Sequence, residues 1–127
     1  MKAIKFLIFF FLFSVLAFAQ FNVRDTVSIE ASQDTSYTFD LDGDKLAAIQ
    51  FPSTFQGGTV AILTSDHPDS TFWKVQYDGS DISITATDGQ QCGIKPVEAN
   101  QLLRYIQIVS DSTETTGRLL WIVKTNF

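Results

Sequence analysis

The chain has 127 residues, a formal net charge of −5, a single cysteine and a single histidine. An acidic chain without a basic cluster repels phosphate backbones, so nucleic acid is excluded as an expected partner. One cysteine cannot form an internal disulfide, and one cysteine with one histidine is too few for the usual zinc-ligand sets. We therefore expect no cofactor.

The N-terminal segment predicts an export leader. Two lysines precede an apolar run over residues 6–19, which ends in Ala17-Phe18-Ala19, a small-x-small cleavage pattern. This arrangement is typical of a secretory signal peptide. The alternative is a short uncleaved membrane anchor, although an apolar run of this length in a helix reaches only about 21 Å into a hydrocarbon core of about 30 Å.

The sequence divides into a leader helix at residues 1–19 and one domain at residues 20–127. Removal of the leader takes away two lysines and changes the net charge from −5 to −7. A domain of this size buries about two thirds of its unfolded surface, which suffices for an independent core. We expect an exported protein (periplasmic, extracellular or on the cell surface) that contacts a membrane only through residues 1–19, if these are retained.

Strand signals follow one another through the domain, separated by polar or turn-forming residues such as those at 31–35. Residues 97–102 are expected to be irregular or a single helical turn, and no stretch outside the leader has helical periodicity. The apolar patterns predict strands at residues 23–30, 37–41, 46–51, 60–63, 73–77, 82–86, 92–94, 103–109 and 119–123.

The register of the hairpin over residues 73–86 follows from its amino-acid sequence. A two-residue turn at Asp78-Gly79 sets Val75 opposite Ile82. The next pair on the same face is Trp73 opposite Ile84, so Trp73 is expected in the core.

The following turn, Asp88-Gly89-Gln90, extends the same apolar face if it closes a three-residue loop. Ala86 then lies opposite Cys92, and Ile84 lies opposite Ile94. Cys92 is accordingly expected to act as a small hydrophobic residue on that face and not as a reactive thiol.

About nine short strands with regularly spaced turn signals predict an all-β fold. We expect a single antiparallel β-sandwich of jelly-roll type following the leader helix. The strand at residues 103–109 is the most apolar of the domain and is expected at the centre of its sheet.

No arrangement of residues predicts an enzyme. The one histidine, His67, lies beside a proline in a loop, and no serine has the G-x-S-x-G surroundings of a hydrolase nucleophile. Most aspartates stand beside glycine, proline or another turn former, and turn chemistry explains them. We expect no catalytic residue.

A carboxylate cluster with metal-ligand spacing is formed by Asp40, Asp42 and Asp44. Alternate aspartates can offer oxygen atoms to calcium, as an EF-hand loop does. The remaining pattern fails, because Gly43 stands at the fourth position and Phe51 occupies the twelfth, where a glutamate is required. We expect a solvated turn at a strand end, with a calcium site as the alternative.

Three aromatic residues are candidates for a sugar-binding platform: Trp121, Trp73 and Tyr77. Each could stack against a sugar ring if one face of the side chain is open to water. The hairpin register favours a core position for Trp73. The exposure of Trp121 is left open by the sequence, because apolar residues occupy both sides of its strand.

From Leu41-Asp42-Gly43-Asp44-Lys45-Leu46 onward, the chain resembles a β-sandwich domain of bacteriophage tail and other virion proteins. The resemblance covers residues 40–123 and rests mainly on Phe51-Pro52, Asp78-Gly79 and Tyr105-Ile106-x-Ile108-x-Ser110. It implies a non-enzymatic structural or attachment module on a particle surface. Phage structural proteins usually lack an export leader, whereas this sequence predicts one, so a membrane-containing phage and a host surface protein are both open as its origin.

Two functions follow from these observations. The first is a non-enzymatic structural or attachment module, exported or associated with a virion, that assembles with itself or with other surface or virion proteins. The alternative is a secreted carbohydrate-binding module that uses exposed aromatic side chains. The exposure of the two tryptophans distinguishes them.

Overall fold

The computed structural model of the chain describes residues 22–126. The predicted leader at residues 1–19 lies outside this range. No helix within the described residues has the length and apolar character needed to cross a bilayer. The elements are β1 (Asn22–Ile29), β2 (Gln33–Thr35), β3 (Phe39–Asp40), β4 (Lys45–Gln50), β5 (Thr59–Ser65), β6 (Trp73–Lys74), β7 (Gln76–Tyr77), β8 (Ser80–Asp81), β9 (Ser83–Thr85), β10 (Gln91–Gly93), the helical turn α1 (Pro96–Ala99), β11 (Tyr105–Glu114) and β12 (Arg118–Thr125).

Most of the strands belong to two antiparallel sheets. The first sheet has the order β1-β12-β4-β10, and the second has the order β2-β11-β5-β6, in which β3 also pairs with β11 and β9 also pairs with β5. If β2 with β3 counts as one interrupted strand, and β6 to β9 as one folded strand, the order is 1-8-3-6 in the first sheet and 2-7-4-5 in the second. This is the strand order of a jelly roll, which confirms the predicted all-β sandwich.

The hydrophobic core lies between the inner faces of the two sheets. Alternation over residues 119–122 of β12 directs Leu120 and Ile122 inward, and both are fully buried. Ile106 and Ile108 of β11 are fully buried from the other side. Burial of such side chains contributes roughly 1.5 to 3 kcal/mol each, so this layer dominates the stability of the sandwich.

The predicted strands with long apolar patterns are confirmed as β1, β4, β5, β11 and β12. As expected from its composition, β11 is central, because β2 and β3 pair with one of its edges and β5 pairs with the other. The predicted single helical turn is also present, as α1.

The predicted hairpin is confirmed at its tip. Tyr77 pairs with Ser80, and the two turn residues, Asp78 and Gly79, have positive φ angles of 52° and 78°. Two consecutive positive φ angles define the type I′ turn that Asp-Gly favours. The Val75 carbonyl accepts a hydrogen bond from the Ile82 amide, as the register requires.

The base of the hairpin differs from the prediction. Trp73 pairs with Thr64 and Ile84 pairs with Val60, so the two strands separate and lie end to end along one edge of β5. Trp73 is 68% exposed, and its predicted core position is wrong. The reason is that β5 is long enough to satisfy the backbone groups of both strands, and pairing with it replaces their pairing with each other.

The predicted meander through Cys92 is also wrong. The turn forms, with a hydrogen bond from the Gln90 amide to the Thr87 carbonyl, but it carries the chain to the first sheet, where Cys92 pairs with Ile49. There β10 covers an otherwise free edge of β4. Cys92 is half-buried and packs against the core, as expected of a small hydrophobic residue.

The predicted second strand, over residues 37–41, is reduced to β3, and the predicted polar break at 31–35 contains β2. The chain passes from one sheet to the other between them. The Ser36 amide donates to the Ile108 carbonyl in the second sheet, whereas the Tyr37 amide donates to the Ser28 carbonyl in the first. One strand cannot serve both ladders, so the pairing is interrupted there.

Candidate functional site

The three aspartates considered for calcium lie around the β3–β4 turn, where basic side chains face them. The Arg104 guanidinium donates two hydrogen bonds to the Asp40 carboxylate, each 2.9 Å long. These bonds hold the pKa of the Asp40 carboxyl below its ordinary range. One of these two donors, Arg104 Nη2, also lies 3.5 Å from the Asp42 carboxylate, and the Lys124 ammonium lies 3.6 Å from the Asp44 carboxylate.

The hydrogen bonds within this turn also account for its sequence. The Asp42 amide donates to the Asp40 carboxylate, and the Asp44 amide donates to the Leu41 carbonyl across a turn with positive φ angles at Asp42 and Gly43. Among residues 22–126, no group of three or more histidine, cysteine, aspartate or glutamate side chains is placed to hold a metal ion. The arrangement favours the solvated turn over the calcium site.

His67 is engaged within its own loop. Its Nδ1 accepts a hydrogen bond of 3.2 Å from the Asp69 amide, and its carbonyl accepts one of 2.8 Å from the Ser65 hydroxyl. These contacts shape the loop between β5 and β6, and the geometry does not assemble a nucleophile and base around the imidazole.

Trp121 lies on the outer face of the first sheet. Its neighbours in β12, Leu120 and Ile122, are fully buried in the core, so alternation directs the indole away from it. The side chain is 43% exposed, and this exposure is the property that a stacking platform requires.

A row of polar side chains crosses the first sheet at Trp121. Thr26 of β1 pairs with Trp121, Trp121 pairs with Gln50 of β4, and Gln50 pairs with Gln91 of β10. Directly paired residues project to the same face, so these four side chains form one line, which we call the Trp121 row. Four neighbouring strands at a spacing of about 4.8 Å make this row about 14 Å long.

The outer face continues in both directions along β12. Leu119, two residues before Trp121, is 49% exposed and borders an open depression of about 550 Å³ that Ser28 and Gly117 also line. In the other direction, Thr125 borders a more enclosed pocket of about 260 Å³. Trp121 therefore stands between two depressions on one strand.

The other two aromatic candidates do not join Trp121. Trp73 and Tyr77 are 68% and 42% exposed, respectively, but they belong to the strands that border and extend from the edge of the second sheet. There the Lys74 ammonium lies 3.6 Å from the Asp81 carboxylate, and the Gln76 side chain donates a hydrogen bond to the same residue. The structure thus separates the candidates into two surfaces.

The polar members of the Trp121 row were missed by sequence reasoning. Thr26, Gln50 and Gln91 lie in three different strands, and no motif connects them. The available signal was their polar character, but polar residues such as Arg24 and Ser28 also occur in β1, so this signal acquires meaning only when the order of the strands is known.

The comparisons with known proteins identify no relative of this chain. No family model, no curated protein and no solved structure matches it. The resemblance to virion proteins stays a prediction.

Proposed function

We propose that this protein is a non-enzymatic attachment module that binds a neutral polysaccharide on the outer face of its first sheet. The observation that carries the proposal is the Trp121 row, in which an exposed indole is flanked by a hydroxyl and two primary amides. This combination matches a sugar, which has an apolar face of C–H bonds and a rim of hydroxyl groups.

The indole and the polar side chains of the Trp121 row contribute to binding in different ways. The indole face carries negative π density, against which the C–H bonds of a sugar ring pack while displacing water. Gln50 and Gln91 each carry one acceptor and two donor hydrogens, and Thr26 carries a hydroxyl that both donates and accepts. Their regular spacing along one line suits successive hydroxyl groups.

Charge and exposed area support a neutral polysaccharide over the other ligand classes. A chain with a net charge of −5 repels anionic polymers such as polyuronates. A stable protein partner buries about 800 Å² on each side around an apolar centre. Leu119 and Trp121 are the large exposed apolar side chains in the described part of this face, which is a small centre for such an interface.

Such a module would act at a cell surface or on a virion, where recognition of a glycan fixes a particle or protein in place. Turnover of the glycan is not part of the proposal. The side chains at the Trp121 row include no carboxylate pair, whereas glycoside hydrolysis requires two carboxyl groups about 5 to 9 Å apart.

The experiment is a comparison of two tryptophan variants on a panel of neutral polysaccharides, using pull-down on insoluble polymers and affinity electrophoresis on soluble ones. Trp121→Ala is expected to weaken binding at least about tenfold, as removal of a central aromatic contact does. Trp73→Ala is the matched control, because it removes an exposed indole from the other surface. Gln50→Ala and Gln91→Ala are expected to weaken binding by smaller factors.

Circular dichroism of each variant shows whether the sandwich is intact. Binding that persists in Trp121→Ala but disappears in Trp73→Ala would move the site to the second sheet and contradict the proposal. If no polysaccharide binds and Trp121→Ala instead abolishes self-association or capture of a surface protein, the face is a protein interface and the polysaccharide proposal is wrong.

A further inference from the structure

A pocket of about 260 Å³ opens where β4 meets α1, and apolar side chains form most of its wall. These wall residues are Leu46, Ala47, Ile94, Pro96 and Ala99. Leu46, Ile94 and Ala99 are buried in the packed sandwich, so the shape of the pocket does not depend on mobile surface side chains. Sites for drug-sized ligands have volumes of about 300 to 1,000 Å³, so this pocket suits a smaller apolar group.

Three polar residues complete the wall, and two of them are available to a ligand. Lys45, at the start of β4, is half-buried, and Asn100, which follows α1, is exposed. Both therefore keep surface that a ligand in the pocket can contact. Thr125 also lines the pocket, but its hydroxyl is buried and takes no part.

Lys45 brings a positive charge to the pocket without a carboxylate to neutralise it. Among residues 22–126, no aspartate or glutamate forms an ion pair with Lys45, and the adjacent Asp44 is held by the Lys124 ammonium at 3.6 Å. A half-buried cation has lost part of its hydration, so an opposite charge stabilises it more than it would in open water. The net charge of −5 repels a polyanion, but a single carboxylate needs only one cation, and Lys45 supplies it.

We infer that this pocket binds a short-chain monocarboxylic acid. The Lys45 ammonium and the Asn100 side-chain amide donate hydrogen bonds to the carboxylate. The hydrocarbon chain packs against Ala47, Ile94 and Ala99, where it displaces water. The inference is independent of the proposed function, because the pocket shares no residue with the Trp121 row.

The experiment is a titration of the purified protein at neutral pH with three small ligands, followed in amide proton–nitrogen NMR spectra. Isovalerate carries a carboxylate and a branched apolar chain, isovaleramide keeps the shape without the charge, and acetate keeps the charge without the chain. Isovalerate is expected to bind at least about tenfold more tightly than either of the others, because a hydrogen bond to a charged group and burial of the chain each contribute on this scale. The amides that shift are expected to lie in α1 and at the start of β4.

Two variants test the polar and the apolar part of the pocket. Lys45→Gln removes the cation and is expected to weaken isovalerate binding at least about tenfold. Lys95→Gln is the matched control, because it makes the same change of net charge at an exposed residue beside α1 that does not line the pocket. Ala47→Leu fills the pocket from a half-buried wall position and is expected to abolish isovalerate binding.

Equal affinity for isovalerate and isovaleramide would overturn the inference, and so would a loss in Lys45→Gln no larger than in Lys95→Gln. Binding of N-acetylleucine without binding of isovalerate would assign the pocket to the C-terminal residue of a peptide and also overturn it. Failure of isovalerate to shift the α1 amides would remove the site altogether. None of these results affects polysaccharide binding at Trp121, which Trp121→Ala tests separately.

Discussion

Glu114 and Arg118 form an ion pair inside the sandwich at the turn between β11 and β12, with the Arg118 Nε 3.6 Å from the Glu114 carboxylate. Glu114 is fully buried, and both of its carboxylate oxygens accept hydrogen bonds from the backbone amide of Gln56, at 3.0 and 3.3 Å. The Gln56 side-chain oxygen in turn accepts hydrogen bonds from Thr115. The pair thus fastens the loop after β4 to the last hairpin.

Replacement of Glu114 by alanine is expected to destabilise the fold by about 3 kcal/mol, because it leaves the Arg118 cation and the Gln56 amide without their buried partner. Urea unfolding followed by tryptophan fluorescence measures the change. Asp66→Ala removes an exposed carboxylate from a loop and is the control. A loss in Glu114→Ala no larger than in this control would contradict the role assigned to the pair.

Gly57 packs so closely against its neighbours that a side chain cannot be added there. A Cβ at this position would overlap the Ser110 hydroxyl and lie 2.8 Å from the Phe55 ring. Gly57→Ala is expected to cost about 1 to 3 kcal/mol, as overpacking does. The neighbouring Gly58→Ala is the matched control, since its nearest contact would be 3.6 Å away. Equal melting temperatures for the two variants would show that Ser110 and Phe55 yield without cost.

Stability at low pH depends on Asp40. Its pKa lies below the ordinary 3.8 because Arg104 donates two hydrogen bonds to it. The folded-state pKa is thus lower than the unfolded one, so the pair stabilises the fold above about pH 4 and this contribution is lost as pH falls through the folded pKa. Arg104→Gln is expected to raise the Asp40 pKa towards 3.8 and to make acid unfolding below pH 4 less steep.

Carboxyl-carbon NMR titration measures the Asp40 pKa directly. Lys74→Gln removes a cation that pairs with Asp81 on the hairpin and serves as the control, which should leave the Asp40 titration unchanged. An Asp40 pKa that does not move in Arg104→Gln would refute the assigned cause.

Both tryptophans are expected to emit as solvent-exposed residues. In the single-tryptophan variants Trp121→Phe and Trp73→Phe, acrylamide should quench Trp73 more strongly than Trp121, since the two are 68% and 43% exposed. A bound polysaccharide should protect Trp121 alone. Blue-shifted and unquenched emission from Trp121 would remove the basis of the stacking platform.

Much of the fold could be predicted because its information is local. Alternating apolar residues identified β1, β11 and β12, and the type I′ turn followed from Asp78-Gly79, whose positive φ angles few other residue pairs accept. The base of the same hairpin could not be predicted. Trp73 and Ile84 each found a partner on β5, and the choice between that edge and each other depends on a strand distant in the sequence.

The candidate site, too, could be predicted from the sequence only in part. Trp121 was recognisable as a candidate, but its strand is apolar on both sides, so its letters are compatible with either face. Gln50 and Gln91 became part of the site through the pairing of β12 with β4 and of β4 with β10. Neither pairing can be predicted from the sequence around these residues.

The composition of the sequence therefore established an acidic protein, and side-chain alternation with turn chemistry established an all-β sandwich. Alternation and turn chemistry could do so because each depends on backbone geometry within a few residues. The neighbours of each strand, and with them the surface on which Trp121 stands, were established by folding. Backbone groups on a free strand edge must find partners, and only the assembled sandwich determines which edges are free.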